Sequence, residues 1–266
     1  MLKTEYMEFN SVGYCVLGIP AYFFCAFIGF VVATSAFLIL VSLKKYDPVP
    51  HMKALMISVV GLILCSRLFG CLSGVYRAVG VNERITIDTV LKTGIVFYGG
   101  LIGMLITYVC CIRSPLIRDK DYHVLDVLAV TMPLFHTISR VGCFLGGCCF
   151  GKQSASVIPV LYTTIENGVV TTEQRIPIQL IEAAFNFCLF LYLLYLLSKQ
   201  SWRNEHILYK YLLIYSVGRF LLEFGRGDTV RGLICGVSFS QVISVMIWLF
   251  VIRMVIKNKE DVKWEQ

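Results

Sequence analysis

The sequence predicts an all-α, polytopic membrane protein with about seven transmembrane helices and a small outward-facing cap between the fourth and fifth. Three observations predict it. Of 266 residues, 57% are hydrophobic and 15% charged, whereas soluble domains carry roughly a quarter charged residues. Mean hydropathy is +0.74. Apolar runs recur along the whole chain, each close to the roughly 20 residues that one bilayer crossing requires. Residues 1–266 are therefore expected to form a single integral membrane domain.

The spans are expected at roughly 19–43, 52–75, 92–112, 123–149, 178–198, 206–224 and 233–256. The first reads as a retained span: Glu5 and Glu8 precede it where a signal peptide has a basic region, and no small-residue cleavage site follows. The second, fourth and sixth each contain an arginine. Between spans four and five, about 150–177, Asn167-Gly168 is a turn signal within a threonine-rich stretch that includes Val169-Val170. A hairpin cap is expected there.

Orientation follows from basic residues in the connections. Lys44, Lys45, Lys53, Arg113, Arg118, Lys120, Lys199, Arg203, Arg253, Lys257, Lys259 and Lys263 fall on one side; Lys3, Arg77, Arg84, Lys152, Arg175, Arg226 and Arg231 fall on the other. The richer side is expected to be cytoplasmic, with the C-terminus inside and the N-terminus outside. A net charge of +7 suits loops held against an anionic inner leaflet. No basic stripe with interleaved aromatics appears, so nucleic acid is not an expected partner. No internal repeat supports an inverted-repeat transporter.

Charges at bilayer depth cost several kcal/mol and need a reason. Arg67, Arg140, Arg219, Glu182, Glu223, Lys92, Tyr98 and Tyr22 all fall in the outer half of their spans, whereas Lys210 and Asp126 lie near inner ends, where they can snorkel. The outer set is rich in arginine, whose planar fork binds phosphate oxygens in pairs. This pattern suits a cavity for an anionic lipid head group. Arginine–glutamate pairs tying helices together are the simpler alternative, with Arg219 and Glu223 at i,i+4 spacing. Gly99 and Gly103, and Gly142 and Gly146, form GxxxG pairs that serve close helix packing or let a head group approach the backbone.

Eleven cysteines in a short secreted chain would suggest a disulfide scaffold, but here most lie inside apolar runs as small hydrophobes. Cys143, Cys148 and Cys149 admit three readings: packing, a redox pair at the outer face, or a catalytic thiol. Adjacent cysteines without a second ligand type make a poor zinc pattern, and His136 alone does not complete one.

The motifs bring a family into view. Phe97-Tyr98-Gly99-Gly100-Leu101-Ile102-Gly103 resembles the Phe-His-Gly-Gly-Leu-Ile-Gly signature of prolipoprotein diacylglyceryl transferases. Arg140-Val141-Gly142-Cys143-Phe144 is similar to that family's Arg-Ile-Gly-Asn-Phe, with Gly151 at its later glycine. Pro177-Ile178-Gln179-Leu180-Ile181-Glu182 resembles Pro-Ser-Gln-Leu-Tyr-Glu, and Arg219-Phe220-Leu221-Leu222-Glu223-Phe224-Gly225-Arg226, followed by Asp228, resembles Arg-Phe-x-x-Glu-Phe-x-Arg. Tyr22, seven residues before Gly29, matches the first-helix tyrosine.

The resemblance implies a bacterial plasma-membrane enzyme that moves a diacylglyceryl group from phosphatidylglycerol to the lipobox cysteine thiol of a prolipoprotein, releasing glycerol phosphate. It implies no cofactor and no metal. Arg140, Arg219, Tyr98 and Glu223 are the implied catalytic residues. Tyr22, Arg67, Gly99, Gly100, Gly142, Gly151, Gln179, Glu182 and Arg226 are the implied substrate-binding residues. The pattern departs at three places: Tyr98 replaces histidine, Cys143 an asparagine and Cys148 an acidic residue. A tyrosine near pKa 10 primes a thiol poorly, which leaves base work to Tyr98 beside arginines, or to Glu182 or Glu223. Gly147-Cys148-Cys149-Phe150-Gly151-Lys152 resembles a divergent Gram-positive branch. A non-enzymatic carrier of anionic phospholipid, or use of another acceptor, stays open as the alternative.

Overall fold

A computed structural model describes residues 8–10, 15–16, 19–80, 82, 84–87, 96–115, 117, 121–153, 160–166, 169–227, 233–234 and 236–264. Lys3, Lys92, Arg118, Lys120, the Asn167-Gly168 turn, Asp228 and Arg231 lie outside the described residues. Seven long helices are described: α1 (Ala21–Leu43), α2 (Pro48–Gly80), α3 (Phe97–Arg113), α4 (Val124–Leu145), α5 (Ile178–Ser198), α6 (Ile207–Glu223) and α7 (Phe239–Trp264). The chain is an all-α, multi-pass membrane protein. Five of these helices are long and apolar enough to cross a membrane, while α3 is a shorter apolar helix. Helix α6 has 17 residues, a length of about 25 Å at 1.5 Å per residue. Helix α2, at 33 residues, reaches about 50 Å and outruns the hydrocarbon core.

The distribution of side chains is the inverse of a soluble domain. Phe23, Phe27 and Ile39 on α1, Ile63, Leu64 and Leu68 on α2, and Leu249 and Phe250 on α7 are exposed, whereas His51, Ser58, Asn186, Ser216 and Ser244 are buried. Helices suit such a solvent because every backbone bond closes within the segment. Polar side chains then find partners inside: Ser58 and Ser216 donate to the carbonyls of Ala54 and Leu212, and the His51 ring bonds the Tyr108 hydroxyl at 2.8 Å.

Helix α4 is central, packing against α1, α5 and α6; α2 pairs with α3, and α6 with α7. Glycine sets the closest approach. A Cβ on Gly103 would lie 2.2 Å from the Gly61 carbonyl oxygen and 2.5 Å from Cys65 Cβ. The α2–α3 contact therefore excludes any side chain at that point. Gly103→Leu is expected to lower stability by at least about 1–3 kcal/mol, the usual range for overpacking. Thermal unfolding of the detergent-solubilised protein measures it. Gly100→Ala is the contrast, because its Cβ would meet side chains alone, Leu62 at 3.3 Å and Ser66 at 3.5 Å.

The two ends of the bundle differ. At one end β4 (Val160–Glu166) and β5 (Val169–Arg175) form the expected antiparallel hairpin. It gains a third strand that the sequence reading missed, β1 (Glu8–Asn10), parallel to β4. Two two-residue ladders complete this end: β2 (Cys15–Val16) with β3 (Ile19–Pro20), and β6 (Leu233–Ile234) with β7 (Val237–Ser238). The opposite end is stapled by charge. Asp121 accepts from the Tyr46 hydroxyl at 2.7 Å and pairs with Arg203 at 2.9 Å; Glu205 pairs with Lys199 and Lys210. Burial opposes ionisation of Asp121, but the His123 backbone N–H, Tyr46 and Arg203 outweigh it and hold the carboxyl below its ordinary value. Asp126, expected to snorkel, is instead buried and accepts the Leu208 backbone N–H at 2.7 Å. It thereby satisfies one of the donors that the start of α6 leaves open.

Candidate functional site

Three helices and the turn after α6 deliver charge to one region beneath the strand-bearing end. Helix α4 presents His136 and Arg140 one turn apart, α5 brings Gln179 and Glu182 in its first turns, and α6 brings Arg219 and Glu223. Arg226 follows in the turn. All seven are buried. Arg140 donates from Nε to His136 Nε2 at 3.0 Å and pairs through Nη2 with Glu182 at 3.0 Å. Arg219 pairs with Glu223 on its own helix and donates to Ser240 Oγ of α7 at 3.4 Å.

These groups close one end of a cavity of about 470 Å³, within the range of small-molecule sites. Its wall has two characters. Arg140, Arg219, Arg226, His136, Ser139, Ser240 and Tyr22 gather with Cys143, Cys148 and Cys149 at the cap-side end. Phe30, Phe37, Leu55, Leu101, Met104 and Leu128 line the rest, between α1, α2, α3 and α4. No acidic side chain lines it among the described residues. Glu182 and Glu223 stand behind their arginines, so the pairing that serves as the simpler sequence reading is present but does not cancel what the cavity sees. Three guanidinium groups face a low-dielectric space, where their attraction for an anion is far stronger than in water.

The loop after α4 is tied down at both edges. Gly151 N–H donates to Ile176 O at 2.9 Å, Lys152 N–H to Gly225 O at 2.9 Å, and Gly227 N–H to Phe150 O at 3.1 Å. This ladder sets Arg226 at the cavity wall. Gln179 supports the same loop: its Nε2 donates to Cys148 O at 2.6 Å while its Oε1 accepts from Tyr162 of β4 at 3.3 Å.

Of the residues picked from sequence, Arg140, Arg219, Arg226, Tyr22 and Gly100 line the cavity. Glu182, Glu223 and Gln179 do not line it; Glu182 pairs with Arg140, Glu223 with Arg219, and Gln179 holds the Cys148 carbonyl. Gly99, Gly142 and Gly151 do not line it. A Cβ on each would collide with Cys65 O, Cys25 Cβ and Ile176 O respectively, all at 2.5 Å, so these glycines serve helix and loop approach. Arg67 is half-buried on α2 and is absent from the wall. Tyr98 is 2% exposed and also absent from the wall; its hydroxyl bonds Ser244 Oγ at 2.8 Å. Tyr98→Phe is accordingly expected to keep turnover at this cavity within about threefold, whereas loss of a general base removes roughly 10²–10⁴-fold. Initial rates on the purified variant decide between the two.

Sequence reasoning passed over His136, which it weighed only as a metal ligand. The ring stacks on Phe97 at 4.1 Å between centroids, beside the position where the signature histidine would fall. Nε2 accepts from Arg140 at 3.0 Å and also stands 3.4 Å from Glu182 Oε1; with Nε2 as the acceptor, the ring proton is assigned to Nδ1. That atom and Ser139 Oγ are buried without a hydrogen-bond partner among the described residues, and both residues line the cavity. Buried polar atoms left in this state point to a ligand.

Residues 13–257 match the family model described as prolipoprotein diacylglyceryl transferase. The chain belongs to the prolipoprotein diacylglyceryl transferase family. It is 32% identical over 208 residues to the phosphatidylglycerol--prolipoprotein diacylglyceryl transferase of Clostridium tetani, covering 74% of this chain and 78% of that one. It is 28% identical to transferase 2 of Clostridium perfringens, covering 87% and 88%, and 28% identical to the Streptococcus uberis protein, covering 70% of each. Within this family frame, the matched arginine motifs are the ones that reach the cavity, while the signature's Tyr98 points into the α3–α7 contact.

Proposed function

We propose that this transferase moves a diacylglyceryl group from phosphatidylglycerol to the lipobox cysteine of a prolipoprotein, in a cavity open to the outer leaflet. The observation that carries this reading is the two-part wall: three arginines at one end, with the glutamates of Arg140 and Arg219 held behind them, and an apolar shaft leading away. That is the shape and polarity of an anionic phospholipid entering head first. The cap end faces outward in this reading, and the lysine-rich end, with the C-terminus, faces the cytoplasm.

In the reaction the acceptor sulphur attacks the glyceryl carbon that is esterified to phosphate. A carbon–sulphur bond forms, the carbon–oxygen bond breaks, and the electron pair leaves on the phosphate oxygen of glycerol phosphate. The thiol proton is released, in net terms, to water. Arg140 and Arg219 hold the phosphate and stabilise the charge that grows on the departing oxygen. Arg226 adds to that field, and His136 Nδ1–H and Ser139 Oγ–H supply donors. Glu182 and Glu223 orient the guanidinium forks.

The test is to incubate the purified protein with phosphatidylglycerol and a lipobox peptide. Glycerol phosphate together with a peptide heavier by one diacylglyceryl group supports the reading. Phosphatidylglycerol binding without either product would make the chain a lipid-binding paralogue. Glycerol phosphate without peptide modification would point to another acceptor.

A further inference from the structure

We propose that Cys143, Cys148 and Cys149 form a three-thiolate site for a thiophilic d¹⁰ metal ion such as Zn²⁺, with its fourth position open to the cavity for the acceptor thiol. Metal binding stands on the cysteine geometry alone. The identity of the fourth ligand rests on the transferase reading.

The three sulphur atoms lie within 4.8 Å of one another. Sulphurs bound to one zinc at about 2.3 Å sit roughly 4 Å apart, so small side-chain rotations complete the set. Three sulphurs meet within a seven-residue stretch because the backbone doubles back. Helix α4 ends at Leu145, Gly147 takes φ +65°, and Cys148 N–H returns to Cys143 O at 3.1 Å. Cys149 then takes φ +61°, a left-handed conformation that residues with a Cβ adopt rarely. Successive side chains in an extended run diverge; the left-handed step gathers these two toward Cys143. Gln179 fixes the turn through its bond to Cys148 O. This is why the adjacent pair looked unsuited to a metal in the sequence.

Charge and place suit the site. A divalent ion with three thiolates carries one net negative charge, and Arg140 and Arg226 share the same wall. All three cysteines line the cavity, so the fourth position opens where acceptor and donor meet. As the metal binds, the three thiols release their protons to water. An acceptor thiol that enters releases its own proton and becomes a bound thiolate. Its sulphur lone pair then attacks the glyceryl carbon as above. Thiol activation by a metal fills the task that Tyr98, buried against Ser244, does not perform.

The experiment titrates the reduced, detergent-solubilised protein with Cd²⁺ and follows the thiolate-to-metal charge-transfer band. One Cd²⁺ per chain is expected, with the band lost in Cys148→Ser/Cys149→Ser and kept in Cys188→Ser, whose side chain is exposed on α5. Cys149→Gly accepts the left-handed backbone and separates loss of the thiol from loss of the fold; the band should fall there too. Adding a lipobox peptide should raise the band by about a third, as a fourth sulphur joins three. A band undiminished in the double variant overturns the site. So does a disulfide between any two of the three cysteines in protein alkylated before purification. No change on adding peptide overturns the open fourth position. Phosphatidylglycerol-dependent release of glycerol phosphate, measured separately, reports on the transferase reading itself.

Discussion

Arg140→Ala is expected to reduce transfer by about 10²–10³-fold, the range seen when one preorganised group for a developing negative charge is removed. It should also unsettle the fold. Arg140 ties α4 to α5 through Glu182, at 3.0 Å, with the two side chains 10% and 2% exposed. Removing one partner of a buried pair typically costs about 3–5 kcal/mol, because the other charge stays buried alone. The two effects separate in Arg140→Ala/Glu182→Gln. Neutralising the orphaned carboxylate should restore most of the thermal stability and none of the activity. Arg140→Lys keeps the charge without the planar fork and should still lose about tenfold or more. Parallel melting curves and initial rates on the four proteins check this set.

Arg219→Ala is expected to give a comparable loss of rate with a smaller loss of stability. Its glutamate partner, Glu223, stands four residues on along the same helix, so breaking the pair unlinks no helices. Between helices, the substitution removes the 3.4 Å bond to Ser240 of α7. With the Arg219 guanidinium gone, the carboxylate of Glu223, 6% exposed, also brings more negative charge to the phosphate site. The loss should therefore appear mainly in catalysis at saturating lipid. Arg219→Ala/Glu223→Gln should recover part of it by removing that repulsion. A melting temperature that falls as far as in Arg140→Ala would show that the residue's main role is to hold the bundle.

Much of this arrangement was legible in the sequence, and the reasons differ from element to element. The spans were legible because apolar length is dictated by the bilayer, and the arginines because charge at depth demands a purpose. The α1, α4 and α5 spans agree with their helices within a few residues at most ends. The β4–β5 hairpin followed from its turn signal, while β1, three residues long and paired with a strand about 150 positions away, left no local pattern. Faces were harder. Tyr98 and Gly100 stand two residues apart on α3, yet only Gly100 lines the cavity, because two positions on a helix are about 200° apart. Depth alone does not supply that rotation. The glycine pairs were correctly placed at close approaches, but the close neighbour at Gly99 and Gly142 is another helix. His136 escaped notice because a histidine in an apolar run is unremarkable until Phe97 and Arg140 are seen around it. The cysteine cluster depends on φ at Cys149, a backbone angle that no residue type dictates.

The central claim is that the arginine end of the cavity selects an anionic phospholipid. Native mass spectrometry of the detergent-solubilised protein, titrated with phosphatidylglycerol and phosphatidylcholine in equal amounts, tests it most directly. The wild-type chain should retain phosphatidylglycerol in clear preference, and Arg140→Ala/Arg219→Ala should bind both lipids alike. A double variant that folds and still prefers phosphatidylglycerol would contradict the account.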